Sequence, residues 1–297
     1  MKKRSEAILA YLCLTPAAIL LGGVILYPIG RTVVASFCQV DKLGNPQHFG
    51  TLDNYRWLLT DEHFLRRVVP HTLIWTLAVV AFTIAISILV ALVLHEKLPG
   101  QRLMRGIILL PWATSLVISA AIWKWILHPT QGPLNGILMN LGLVKLGTEP
   151  AWLAYPTTAL VMVILVGIWV SIPFTSVVLL AGLQSITEDL YEAAVIDGAG
   201  IWQRFRRITL PLLKPVLLVA VLLNTIYVFN SFPIIWTLTE GGPANETHII
   251  VTYLYKTALW NRDYGPGYAM ATLTFAFLLA FSIVYTRVCA KTGLEAA

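Results

Sequence analysis

Residues 192–215 read EAAVIDGAGIWQRFRRITLPLLKP and place two acidic and four basic side chains within 24 positions of a chain that is 57% apolar and 12% charged. Charge set between apolar runs in this way can hold another surface. Glu192 can meet a cation, and Ala193 and Ala194 let a neighbour come close to the backbone. Arg204, Arg206 and Arg207 can meet phosphates. Asp197-Gly198 is a turn pair, and glycine there can take the left-handed conformation that ends a helix. A second group of polar side chains lies in the next apolar run: Asn224, Tyr227, Asn230 and Ser231. Positions 224, 227 and 231 are spaced i, i+3, i+7 and share a helix face. Gly167, Val170, Ser171 and Phe174 repeat that spacing one run earlier. Such groups offer hydrogen bonds and an aromatic face to a neutral ligand, or they bond helix to helix inside a membrane bundle. Asparagine among lipid-spanning residues is costly unless paired.

Residues for bond-making chemistry are missing. The chain has no G-x-x-x-x-G-K-[ST] phosphate loop and no Gly-Lys pair, so it should not hold ATP itself. The histidines (48, 63, 71, 95, 128, 248) form no H-E-x-x-H, which argues against an intramembrane enzyme. Cys13, Cys38 and Cys289 are odd in number and scattered, with neither a disulfide framework nor metal-ligand spacing. The expectation is a chain with no catalytic residue, no metal and no cofactor of its own.

The elements that must carry these side chains are set by six charge-free runs, at 7–30, 68–94, 106–123, 150–187, 215–239 and 264–286. A helix needs roughly 20 apolar residues to cross the hydrocarbon, and in lipid the backbone must bond to itself. The runs predict an all-α membrane protein, a single membrane domain over 1–297. Its six spans fall at about 7–30, 68–94, 106–127, 153–181, 211–239 and 264–287, with a loop at about 184–210 between the fourth and fifth. The first run is long for a cleaved signal and ends on no clear A-x-A site, so it reads as a retained span. None of the runs contains Asp or Glu, which argues against an ion-coupled secondary transporter. With both termini cytoplasmic, twelve Lys and Arg fall on the inner side and eight on the outer. The net charge of +6 then reads as membrane topology, and no basic stripe with interleaved aromatics points to nucleic acid.

Within the charged loop, Thr187-Glu188-Asp189 predicts a helix start, and Leu190, Ala194 and Val195 make a small apolar face. A second short helix is expected from about Ile201, with Ile201, Phe205 and Ile208 on one side. Pro211 and Pro215 then fall early in the fifth span, where proline is tolerated. Two readings stand for this hairpin: an amphipathic element on lipid phosphates, or a docking element for a soluble partner, which the Ala-Ala pair favours. On the outer side, Leu52, Tyr55, Leu58 and Leu59 predict a short amphipathic helix, and Gly241-Gly242-Pro243 a turn. Trp75, Trp112, Trp123, Trp125, Trp152, Trp236 and Trp260 read as an interfacial aromatic belt. Pro173 should kink the fourth span.

The charged stretch also carries a spaced pattern: Glu192-Ala193-Ala194, three residues, Gly198, nine residues, then Ile208-Thr209-Leu210-Pro211. This resembles the EAA signature of the transmembrane subunits of binding-protein-dependent ABC importers. FGTLDNYRWLLTDEHF, LHPTQGPLNGIL, IWVSIPFTSVVLLAGLQSI and LTEGGPANET resemble the carbohydrate-uptake branch, of maltose or glycerol-phosphate importer type. His71-Thr72 departs from the Asn-Thr usual there. The resemblance implies a type I importer permease fold in a bacterial cytoplasmic membrane. Its loop, through Glu192, Ala193, Ala194, Asp197, Gly198 and Ala199, would dock on a dimeric ATPase that holds the ATP and magnesium. It implies a homologous second permease and an extracytoplasmic binding protein received at Gly241, Gly242 and Pro243. It also implies a sugar path through Gly167, Val170, Ser171, Phe174, Asn224, Tyr227, Asn230 and Ser231. The cargo expected is a di- or oligosaccharide, with glycerol-phosphate compounds or polyols as the alternative. The absence of a basic group from the charge-free runs at 150–187 and 215–239 favours a neutral ligand.

Overall fold

Long runs of Leu, Val, Ile and Ala without charge fold as helices, and the few polar interruptions decide where those helices stop. The computed structural model describes residues 2–96 and 99–290, with side chains from Tyr11 onward. Lys97 and Lys291, both counted on the inner side, lie outside the described residues.

In chain order the elements are α1 (Lys2–Leu20), α2 (Tyr27–Ser36), strands β1 (Cys38–Val40) and β2 (Pro46–Phe49), α3 (Asp53–Thr60), α4 (Val69–His95), α5 (Gln101–Ala113), α6 (Leu116–Ile126) and α7 (Pro133–Asn140). They continue with α8 (Pro156–Gln184), α9 (Glu188–Ile196), α10 (Ile201–Arg204), α11 (Leu210–Phe229), α12 (Phe232–Thr239), α13 (Ile250–Tyr255) and α14 (Tyr264–Cys289). Wide, π-type turns join several of these into longer helices. Among the described residues five stretches are long and apolar enough to cross a membrane: Tyr11–Ser36, Phe64–His95, Pro156–Gln184, Ile201–Phe229 and Tyr264–Cys289. The pair α5 and α6 makes a sixth if its halves count as one span.

The chain forms two compact units. The first holds the chain up to Leu65 together with Leu254–Phe277. Here β1 and β2 pair antiparallel, an element the sequence pattern did not suggest. Their turn is built on Asp41, whose carboxylate accepts the backbone N–H of Asn45 at 2.8 Å and of Leu43 at 2.9 Å. These bonds, Asn45 first, hold the Asp41 carboxyl below its ordinary range. Gly44 sits on the Tyr264 ring, and the Tyr268 hydroxyl donates to the Gly44 carbonyl at 2.9 Å. The short outer helix forms as expected, but its inward face differs. Leu58 and Asn54 are buried, whereas Leu52 and Leu59 are exposed. Asn54 decides this rotation, because its amide donates to the Ser36 and Cys38 carbonyls, each at 2.9 Å.

The second unit holds Arg66–Tyr253 and the chain from Leu278. Its centre is α4 packed along α8, with α11 against both. The α4 stripe Trp75, Val79, Val80, Ala91 and Leu94 meets Val163, Val166, Val170, Leu179 and Leu183 of α8 in two apolar clusters. Two spans differ from the sequence expectation. The third is broken: α5 and α6 meet at 94° around Thr114 and Ser115, whose backbones are extended. Pro111 takes one amide donor out of the last turn of α5, and Thr114 and Ser115 can bond locally in its place. The fifth ends at Phe229, with Asn230 and Ser231 outside the helix before α12 begins.

Candidate functional site

The charged loop folds as two helices. Thr187, extended, precedes α9, and Glu188 and Asp189 occupy the first turn, where negative charge suits the helix dipole. Gly198 closes the helix with φ +79°, the left-handed conformation that glycine adopts without strain. The turn is fastened by Ala199 N–H to Ala194 C=O at 2.8 Å and Gly198 N–H to Val195 C=O at 3.0 Å. The Gln203 side chain then reaches back to the Gly200 N–H at 3.1 Å, fixing the start of α10. The second helix starts at Ile201 as expected but is not short. It runs on to Phe229. Pro211 and Pro215 therefore stand inside a continuous helix, not at its start. Proline cannot donate the usual bond, and the chain widens by one residue over Phe205–Thr209, with the Leu210 N–H bonding to the Phe205 carbonyl.

Glu192, Ala193, Asp197 and Gly198 are exposed, while Ala194 and Ala199 are half-buried. Glu192 makes no ion pair among the described residues. Ile196, Ile201 and Trp202 are also exposed, at 86%, 79% and 70%, so the hairpin offers an acidic group beside uncovered apolar side chains. Leu190 and Val195, expected to form an inner face, are largely exposed too. A contact between side chains ties the hairpin to the span: the Tyr191 hydroxyl and Thr209 Oγ1 are 3.0 Å apart. The sequence reading missed Tyr191, which lies three residues after Glu188 on the same side of α9 and carries no charge or turn signal of its own.

The polar residues of the fourth and fifth spans divide into two sets. Gly167, Val170, Ser171, Asn224 and Ser231 are turned inward and buried. The Asn224 amide donates to Thr175 Oγ1 at 3.1 Å and to the Ala220 carbonyl at 2.9 Å, so it joins α11 to α8. Ser171 Oγ donates to the Gly167 carbonyl at 2.8 Å. Phe174, Tyr227 and Asn230 reach the surface of the subunit. Phe174 stacks on Trp112 at the break of the third span, with ring centroids 5.8 Å apart.

The tryptophans are not one belt. Trp75 is fully buried and donates its indole N–H to the Val228 carbonyl at 2.9 Å. Trp152 donates to Asn135 Oδ1 at 2.9 Å. Trp125 and Trp260 are exposed, as interfacial residues should be.

On the outer side, Gly241, Gly242 and Pro243 sit in a tightly bonded loop. Thr247 N–H donates to the Gly241 carbonyl at 3.0 Å, Thr247 Oγ1 to the Gly242 carbonyl at 2.7 Å, and Gly242 N–H to the Thr239 carbonyl at 2.8 Å. Gly241 has φ +83° and lies against the His248 ring, so a Cβ there would overlap the imidazole. Arg67 pairs with Glu246 at 3.4 Å, and the Ile250 N–H donates to Thr72 Oγ1 at 2.9 Å, which pins the loop to the start of α4.

This arrangement, with a broken third span and a two-helix hairpin ahead of the fifth, is that of an ABC importer permease. It superposes on the solved permease of a bacterial ABC transporter that imports the acidic polysaccharide alginate, with TM-score 0.85, 26% identity and 98% of both chains covered. Residues 83–292 match the family described as binding-protein-dependent transport system inner membrane component, and the chain belongs to that family. It is a multi-pass transport subunit of the inner membrane. Among curated relatives it is 43% identical to a probable ABC transporter permease of Brucella suis, over 96% of this chain and 97% of that one. It is 37% identical to the trehalose/maltose transport system permease protein MalF of Thermococcus litoralis, over 96% and 95%. It is 33% identical to the diacetylchitobiose uptake permease DasB of Streptomyces coelicolor, over 97% and 88%.

Proposed function

We propose that this chain forms one half of the membrane path of an ATP-driven importer for a di- or oligosaccharide. The observation that carries the coupling role is the exposed α9 hairpin. It presents Glu192, Ala193 and Ala194 beside uncovered apolar side chains, in a chain without a phosphate loop of its own. Asp197, Gly198 and Ala199 form the turn that shapes this surface for a cytoplasmic ATPase dimer, where ATP and magnesium are held. Both termini and the hairpin lie on the cytoplasmic side. A second, homologous permease completes the path, and a binding protein delivers the sugar to the loop at Gly241, Gly242 and Pro243. A neighbouring structure of the alginate transporter contains a periplasmic protein bound to an alginate pentasaccharide, which supports such a delivery partner.

The relatives named for trehalose/maltose and diacetylchitobiose support a sugar cargo. Phe174, Tyr227 and Asn230 reach the subunit surface and supply an aromatic face, a hydroxyl and an amide. The buried set, Gly167, Val170, Ser171, Asn224 and Ser231, shapes the wall behind them. Calorimetry of the partner binding protein with maltose, trehalose, N,N′-diacetylchitobiose and glycerol 3-phosphate tests the cargo. Binding of a sugar is expected, and binding of glycerol 3-phosphate alone would overturn the reading. Glu192→Lys should abolish binding-protein-stimulated ATP hydrolysis while leaving the protein in the membrane. Unchanged stimulation would remove Glu192 from the coupling surface.

A further inference from the structure

The helix of the fifth span stops at Phe229, while its charge-free run continues to Thr239. After Phe229 the chain leaves the helix for two residues, Asn230 and Ser231, before α12. Carbonyls released at such a break need other donors, because lipid supplies none. Two side chains contribute. Asn230 turns its own amide back to the Ile226 carbonyl at 2.9 Å. The Val228 carbonyl takes the Ser231 N–H at 3.0 Å and, from another helix, the Trp75 indole N–H at 2.9 Å.

Trp75 is itself held. It is fully buried on α4, and its ring lies over Gly167 of α8, where an added Cβ would come within 2.9 Å of Cζ3 and overlap the neighbouring ring atom. Gly167 therefore serves to admit this indole. One side chain thus joins α4, α8 and the end of α11, two residues before Asn230.

We propose that Trp75 is a positioning residue for the transport path: by fixing the Val228 carbonyl it sets where Asn230 emerges. The inference rests on Asn230 being a path residue. It is tested in proteoliposomes holding the assembled importer, with tritiated maltose, trehalose and N,N′-diacetylchitobiose each presented on the binding protein. Trp75→Phe keeps an aromatic ring and removes the donor. Binding-protein-stimulated ATP hydrolysis should stay within about twofold of the parent. Sugar carried per ATP should fall roughly two- to tenfold, the range expected of one hydrogen bond whose acceptor keeps a second donor. Gly167→Ala, which presses a methyl against the indole, should lower the ratio in the same way and add nothing on the Trp75→Phe background. A ratio untouched by either variant, or two effects that multiply, overturns the role. If Trp75→Phe does not assemble, Gly167→Ala alone decides. Asn230→Leu separates the two levels. No response to it, or no uptake of any of the three sugars by the parent, overturns the path reading and the role with it. A response to Asn230→Leu without one to Trp75→Phe removes the positioning role alone.

Discussion

Replacing Tyr191 by Phe should uncouple this subunit without unfolding it. The hydroxyl is the polar contact between α9 and the long helix that becomes the fifth span, 3.0 Å from Thr209 Oγ1. Thr209 is 4% exposed, and its hydroxyl also donates to the Arg204 carbonyl at a stretched 3.5 Å. The link is part-buried and neutral, so its net worth is about 0.5–1.5 kcal/mol. That is small against a typical folding free energy of roughly 5–15 kcal/mol, and the protein should reach the membrane in normal amount. The same 0.5–1.5 kcal/mol, taken from the connection between docking surface and span, corresponds to about a two- to twelvefold loss of coupling. The assay is the ratio of sugar accumulated to ATP hydrolysed by the assembled importer with loaded binding protein. Thr209→Val removes the other half of the pair and should give a similar ratio. The double variant should be no worse than the more affected single one. A Tyr191→Phe importer with the parental ratio, or a double variant in which the two losses multiply, would refute the idea that this contact carries the movement.

Three other outcomes follow from the geometry. Asn224→Leu breaks the bonds between α11 and α8 while Thr175 keeps its bond to the Ser171 carbonyl. It should cost about 1–3 kcal/mol and lower the amount of assembled complex, whereas Tyr227→Leu, at the surface, should lower uptake with assembly intact; both are read by size-exclusion chromatography and uptake. Gly241→Ala combines a left-handed backbone with a clash against His248 and should destabilise the outer loop by about 1–3 kcal/mol, seen as weaker capture of the binding protein by the purified complex. The Asp41 carboxyl is held below its ordinary range by the Asn45 N–H, so the turn it organises should be fully ordered above the unfolded pKa of about 3.9 and loosen only as pH falls through the lower folded value. Hydrogen exchange of residues 38–49 should be flat in protection between pH 7 and 5, once corrected for intrinsic rates, while Asp41→Asn should loosen the turn at pH 7.

The hairpin could be read from its residues because each marker acts locally. Asp197-Gly198 is a turn pair that follows a helix with an acidic first turn, and charge cannot hide in an apolar chain. The polar residues of the fourth and fifth spans were harder. A helical face fixes which side chains point together, not whether they point into the subunit or out of it, and only the packing of α4, α8 and α11 on one another turns Gly167 and Asn224 inward. Trp75 was misread for a related reason. It stands near the start of a charge-free run, but the helix begins earlier, at Phe64, and this carries the indole into the bundle. The break in the third span had weak signals: one proline and a Thr-Ser pair in an otherwise apolar run. The β1–β2 pair had almost none, since strands of three and four residues are too short to show alternation.

The helix from Ile201 to Phe229 has a mechanical consequence. At 1.5 Å per residue its 29 residues form a rod of about 43 Å, longer than the hydrocarbon is thick. Tyr191 grips it at Thr209, where the widened turn over Phe205–Thr209 finishes, and Trp75 grips it at Val228, with continuous helix between the two among the described residues. Over the roughly 28 Å from Thr209 to Val228, a tilt of about 10° sweeps the far grip through about 5 Å, close to one helical turn. A movement of α9 at Thr209 would therefore reach the end of this helix, next to Asn230, as leverage through helix alone.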